Sequence, residues 1–408
     1  MLKIAWLLGI IISTTYPVAA GVSYMFPVLP TEHRQMTDPE TGAELTFLTT
    51  HPADDQNLYY EQRSWLADSS LILFNSSRPV GGLMGYLTQT GELVRLTTPH
   101  GGLSGATAAR DRNSVFAVRG AEVIELSVTI KPSNNPTQAP SSAIAKERVI
   151  ATLPESTGPP NTSLTESCDG KFLAIGVGGR GDNRVRPDGC VLLISVRSGK
   201  VAEIFRTPAA DFSGHVVFSR TNPRLVSFGN AGSWLTVMDV RKKQVVFTHK
   251  NVPGEFCTHH CWWIDDTITF CGGFHPQPTE DADVKVMNIY TGEVRIIGKG
   301  SWWPGATPAE LARQNWWHAC GHENGRWVAA DNWHGDIGLF HGKTTRTYIL
   351  TKGHRTYGHG THPEVGWDRR GDQVIFASHR LGNVDVCVAT IPKAWQIEWE
   401  EQLSNDKG

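Results

Sequence analysis

Thr258-His-His-Cys-Trp-Trp-Ile-Asp-Asp-Thr-Ile-Thr-Phe270 carries the pattern that decides the fold. A histidine, His259, is followed at the sixth position by an acidic residue, Asp265, and then by the apolar run Ile268–Phe270. The same order of parts recurs around Trp317-His318 with Asn324 and around Thr361-His362 with Asp368. After Gly214-His215 the polar residue, Asn222, comes one place later. Each unit reads as a strand, a polar turn and a second, buried strand.

Working outward, equivalent apolar runs stand at Leu71–Phe74, Val115–Val118, Phe172–Ile175, Leu225–Phe228, Ile268–Phe270, Trp327–Ala330 and Val374–Ala377. Outer hairpins follow in Tyr86–Val94, Ile194–Val201 and Ile289–Val294, each with Thr-Gly or Ser-Gly at the turn. A spacing of about 50 residues is that of propeller blades. The expected fold is all-β, a seven-bladed β-propeller. The last unit, ending near Pro392, is short of a strand. Gly42–Thr49 is expected to supply it and so close the ring, removing an exposed sheet edge. Residues 131–147 read as a loop, 303–314 as a short helix after Pro308, and Trp395–Gly408 as a charged, frayed tail.

The N-terminus has a basic start, an apolar run Ile4–Ile12 and small residues up to Ala20. That is the layout of an export signal, so residues 1–20 are expected to be removed and 21–408 to form one secreted or periplasmic propeller domain. The run is too short for a spanning helix, and stable membrane insertion is not expected. A net charge of −2 gives no footprint for nucleic acid. Most of the 14 tryptophans are expected to pack between blades, with a minority left to stack on sugars. Among the seven cysteines, Cys168 and Cys190 are placed to pair across two strands, and Cys257-x3-Cys261 around His259 and His260 admits a zinc knuckle. The chain has no Walker loop, no Rossmann glycine pattern and no Gly-x-Ser-x-Gly elbow.

In a propeller the first strand of each blade lines the central channel. Counting back from each turn gives a ring of Gln62, Gly105, Ser163, His215, His259, His318 and His362. Four consecutive histidines point to a metal site or a general base. His318 with His359-x-x-His362-x-Glu364 offers three imidazoles and one carboxylate. Such a set suits a divalent transition ion, Mn²⁺ or Zn²⁺, better than Ca²⁺, which prefers oxygen alone.

Asp38-Pro-Glu-Thr-Gly42 with Leu45–Thr49, Asn57-Leu-Tyr-Tyr60, Gly214-His215, Cys257-Thr-His259 and Thr361-His-Pro363, in that order, resemble the oligogalacturonate lyase family of polysaccharide lyases. The resemblance covers nearly the whole mature chain and implies a seven-bladed propeller. It also implies metal-binding roles for His318, His362, Glu364 and His359. Glu364 replaces the family's second histidine of a His-Pro-His pair, and His359 replaces a glutamine. The family's catalytic histidine in a Cys-Thr-His motif matches His259. Its catalytic arginine falls near Ser233, a departure for which Arg220, Arg180, Arg184 and Arg186 are the candidate substitutes. Ulvan and rhamnose–glucuronate lyases are similar enzymes using His, Tyr and Arg.

The expected activity is β-elimination beside a uronic acid in a poly- or oligosaccharide. His259 is the expected base. Tyr59, Tyr60 or His215 is the expected acid, and Asn230, His260 and Arg180 are expected to hold substrate. The alternative is a non-catalytic propeller that binds glycans or proteins, for which a histidine ring has no purpose.

Overall fold

The computed structural model describes residues 21–179, 188–230, 233–274, 282–299, 316–332, 334–342, 346–356 and 361–405. Seven antiparallel sheets follow one another along the chain. Their second strands, Leu71–Ser76, Ser114–Arg119, Phe172–Val177, Leu225–Asn230, Thr267–Phe274, Trp327–Asn332 and Gln373–Ser378, contain every apolar run read from the sequence. These strands are apolar on both faces because each blade is covered by a neighbour on either side. The apolar clusters accordingly sit between blades: Phe116 and Val123 of blade 2 pack with Leu173 and Ile175 of blade 3. Leu235 and Val237 of blade 4 pack with Trp262 and Ile268 of blade 5.

Tryptophan also stitches the blades with hydrogen bonds. Trp262 Nε1 donates to the Val217 carbonyl of blade 4 at 2.9 Å, and Trp263 Nε1 to the His322 carbonyl of blade 6 at 2.9 Å. Trp367 Nε1 of blade 7 reaches the Cys320 carbonyl of blade 6 at 2.8 Å. A buried indole needs a partner for its single N–H, and here the partner lies across the interface.

The ring closes as expected. Blade 7 contributes Gly366–Trp367, Gln373–Ser378 and Asp385–Thr390, and Glu44–Phe47 pairs antiparallel with the last of these. Arg34–Thr37 adds a fifth strand outside it. The chain before it runs along two more blades: Val22–Phe26 pairs with Ser142–Thr152 of blade 2, and Val28–Leu29 with Leu93–Arg95 of blade 1. Three outer edges are thus covered by one N-terminal segment.

Two local expectations are corrected. Residues 142–147 are not loop: Glu122–Lys131 and Ser142–Thr152 form a long hairpin, stabilised by the added strand Val22–Phe26. The tail is not frayed through its length, because Lys393–Asn405 is an α-helix. Trp395 packs on Tyr348, with ring centroids 5.0 Å apart, and Arg326 pairs with Glu400 at 3.2 Å. The expected signal at 1–20 and the helix at 303–314 lie outside the described residues.

Candidate active site

The inner strands of blades 4, 5 and 6 break their ladders where they meet the channel. The register slips at Gly214/Val217 in blade 4, Thr258/Cys261 in blade 5 and Trp316/His318 in blade 6. His215, His259 and Glu364 adopt left-handed backbone conformations there, with φ of 52°, 54° and 54°, and Gly105 of blade 2 does so with φ 56°. For glycine this is free; for the other three it costs on the order of 1 kcal/mol each. Bulges of this kind re-aim side chains and gather beside active sites.

The result is a cluster from consecutive blades. The His215 and His259 ring centroids are 5.6 Å apart, His259 and His318 4.2 Å, and His318 and His362 5.4 Å. Tyr59 lies 5.8 Å from both His215 and His318, and Tyr60 lies 5.1 Å from His318. Above them is a cavity of about 740 Å³. Of the expected ring, Gly105, Ser163, His215 and His259 line it, together with Tyr59, Trp234 and Trp317. His318 is buried beneath. Gln62 lines a separate, smaller cavity.

Three carboxyl side chains and the dense packing set the charge states. Asp331, fully buried, accepts from His318 Nδ1 with both oxygens at 3.0 Å, from the His318 amide at 2.8 Å and from the Glu364 amide at 2.9 Å. Burial opposes the charged form of His318, but Asp331, Glu364 and Glu61 outweigh it and hold its pKa above the ordinary histidine value. His259 goes the other way: burial, then the neighbouring His318, His215 and His362, push it well below that value. Burial lowers His362 as well, and raises Glu364 to about 7. Glu61 Oε1 lies 3.0 Å from His215 Nδ1 and accepts from the Tyr60 hydroxyl at 3.0 Å.

Several expected roles find no geometry here. The Tyr60 hydroxyl is occupied by Glu61 and the His260 carbonyl, and the residue is fully buried, with burial and Glu61 raising its pKa far above the usual phenol range. Arg220 is away from the cavity, donating to the Gly321 carbonyl and standing 3.4 and 3.2 Å from the Cys261 and Cys320 sulfurs. His260 is buried against Trp234, His249 and Phe270, and Asn230 is not in the cavity wall. Arg180, Arg184, Arg186 and His359 lie outside the described residues. Among the described residues the wall carries no lysine or arginine. All seven cysteines are free thiols, so Cys168 and Cys190 do not pair. Nor do Cys257 and Cys261 form a knuckle: the first contacts Glu255 at 3.4 Å, while the second lies 4.0 Å from Cys320.

Asp331, Glu61 and Trp317 were not singled out from the sequence. Asp331 had a signal: it is an acid at the end of the apolar strand Trp327–Asn332, and it pairs across from His318. His318 fits a metal ligand in one respect: Asp331 holds Nδ1 and leaves Nε2 for an ion, the usual arrangement for ligating histidines. Glu364, a buried carboxyl beside imidazoles, is a matching oxygen donor.

No known protein-family profile matches the chain, and no curated protein matches it in sequence. Solved structures do match in shape. An oligogalacturonate lyase in complex with manganese superposes with TM-score 0.68 at 16% identity, covering 92% of this chain and 99% of that one. An oligogalacturonate lyase from Vibrio parahaemolyticus gives 0.67 at 16% identity, covering 92% and 100%. The β-propeller domain of Cps50 (Swd1) from Myceliophthora thermophila gives 0.52 at 11% identity, covering 85% and 99%. At these identities the likeness establishes the seven-bladed fold.

Proposed function

We propose that the chain is a lyase that cleaves a uronate-containing poly- or oligosaccharide by β-elimination. The observation that carries this reading is the convergence of His215, His259, His318 and His362 from four consecutive blades under one cavity. The shape shared with the oligogalacturonate lyase structures supports it. The export-type N-terminus supports action outside the cytoplasm, on secreted polymers.

Elimination needs three things: the uronate carboxylate neutralised, the C5 proton removed, and the leaving oxygen protonated. His318, His362 and Glu364 are the residues that would hold a divalent ion, Mn²⁺ or Zn²⁺ by donor type, with His359 as a further donor. Such an ion, when bound, neutralises the carboxylate and stabilises charge spreading into it as C5 loses its proton. His259 accepts the proton; burial and the neighbouring imidazoles hold its pKa well below the ordinary histidine value and keep it neutral at neutral pH. Tyr59 faces the cavity and donates to the leaving oxygen, and His215, aimed by Glu61, resupplies that proton. Trp234 and Trp317, both half-buried in the wall, stack on the sugar.

Two substitutions separate these roles. Tyr59→Phe is expected to lower kcat by about 10²-fold, the low end for a lost acid–base group. Tyr60→Phe is expected to leave kcat within a few-fold while costing about 1–3 kcal/mol of stability, because Glu61 and the His260 carbonyl lose a donor. The reverse ranking in steady-state kinetics would exchange the two roles. Asp331 is a positioning residue for His318, so Asp331→Asn is expected to weaken Mn²⁺ binding by about 10–100-fold. Calorimetric titration reads this directly, and unchanged affinity would remove His318 from the ligand set.

The activity is tested by mixing the protein with uronate glycans and following the ultraviolet band of the unsaturated product. Binding of glycan without product would instead favour a non-catalytic propeller whose cavity serves recognition alone.

A further inference from the structure

The segment joining blade 4 to blade 5 brings together three side chains that the elimination does not use: His249, Glu255 and Cys257. We propose that they form a second metal site, for a borderline-soft divalent ion of the Zn²⁺ class, which anchors the inner strand of blade 5.

The geometry is close to that of a coordination sphere. His249 Nε2 lies 3.2 Å from Glu255 Oε1, and Cys257 Sγ lies 3.4 Å from the same oxygen. All three ligand atoms fall within 4.8 Å of one another. Zinc bonds of roughly 2.0–2.3 Å in a tetrahedron place neighbouring ligand atoms about 3.3–3.7 Å apart. The edge at 3.4 Å falls in that range, the edge at 3.2 Å lies about 0.1 Å below it, and the third is under 4.8 Å.

The scaffold is pinned on both sides. The His249 amide donates to the Leu235 carbonyl at 3.0 Å, which fixes the start of the segment on blade 4. At the other end, Glu255 Oε2 accepts from the Val252 amide at 2.9 Å, leaving Oε1 turned to His249 and Cys257. Asn251 Nδ2 holds the Glu255 carbonyl at 3.3 Å. The His249 and Glu255 side chains are 15% and 12% exposed and Cys257 is buried, so the trio is sheltered but reachable by an ion.

The donor set selects the ion. One nitrogen, one carboxylate oxygen and one sulfur suit zinc or its transition-metal neighbours, whereas Mg²⁺ and Ca²⁺ take oxygen alone. On binding, the ion takes the place of the thiol proton that Cys257 shares with Glu255, and the proton leaves to solvent. Cys257 stands two residues before His259 on the strand Glu255–Trp262, so the ion holds the strand that presents the central histidine.

Cobalt(II) is the probe, because a thiolate ligand gives it an intense near-ultraviolet charge-transfer band that nitrogen and oxygen ligands do not. The full-length protein, reduced with a phosphine, is expected to develop this band on titration with Co²⁺. His318→Ala is expected to keep it, which separates this site from the histidine cluster and from the lyase reading. Cys257→Ser is expected to lose the band while circular dichroism retains the β signature. Glu255→Gln, whose fold does not depend on the thiol, is expected to weaken Co²⁺ binding by at least roughly tenfold, the lower end of what even outer-shell partners contribute. A wild-type protein that shows no band, a band that survives Cys257→Ser, or Glu255→Gln binding as tightly as wild type would each overturn the proposal.

Discussion

His259→Ala is expected to lower turnover on the cleaved uronate by about 10²–10⁴-fold, the range for loss of a general base, with the fold intact. The size of the effect follows from where the ring sits. His259 is on the cavity wall, 4.2 Å from His318 and 5.1 Å from Trp317 between ring centroids. Burial and the surrounding imidazoles keep it neutral. Its backbone is in the left-handed region, with φ 54°, and alanine there gains nothing in strain relief. The loss should appear in kcat rather than KM, because substrate still meets Tyr59, Trp234 and Trp317. Near-normal kcat, with circular dichroism unchanged, would remove His259 as the base.

Asp38→Ala is expected to destabilise the fold by about 3 kcal/mol, the low end for breaking a buried ion pair because Arg380 keeps some contact with water. Asp38 is buried where the N-terminal segment meets the last blades. It accepts from Arg380 Nη1 at 3.0 Å, Thr351 Oγ1 at 2.6 Å and the amides of Glu40, Thr41 and Lys352 at 2.9, 3.1 and 3.3 Å. Burial alone would raise its pKa, but these donors overcome that and hold it far below the usual carboxylate range. The sign of the pH effect follows. The folded pKa lies below the unfolded value of about 3.9, so the stabilisation is complete above that value and is lost as pH falls below it. Urea denaturation of wild type and variant at neutral pH and at pH near 3 checks both statements: the gap between them should narrow in acid. Glu40→Ala, which removes only an exposed partner of Lys352, should stay within about 1 kcal/mol of wild type. Equal effects from the two variants would contradict the closure role of Asp38.

The blades were legible because each second strand is covered on both sides and so is apolar throughout, as in Leu71–Phe74 and Val374–Ala377. The closing strand was legible because the last unit visibly lacked one. The histidine cluster was legible because equivalent positions of a repeat converge on the axis. What escaped depends on register across strands. Glu61 reaches His215 over 154 positions of chain and Asp331 reaches His318 from the facing strand, and neither pairing has a local periodic signal. Bulges added to this: the left-handed residue of blade 7 is Glu364, two places beyond the counted His362. Arg220 carried the right charge, but its guanidinium is spent on the Gly321 carbonyl and two cysteine sulfurs. The start of the strand Ser142–Thr152 was hidden because it follows directly on the Pro-, Ser- and Asn-rich residues 132–141, while its pairing with Val22–Phe26 comes from a segment more than a hundred residues away.

The most direct measurement is ultraviolet absorbance of the purified protein incubated with pectic oligomers, ulvan and rhamnose–glucuronate glycans, with and without a chelator. The account predicts a steady rise from unsaturated uronate on at least one of these substrates, abolished by His259→Ala and reduced by chelation. No rise on any uronate glycan, from protein that is folded and supplied with Mn²⁺ or Zn²⁺, would contradict it.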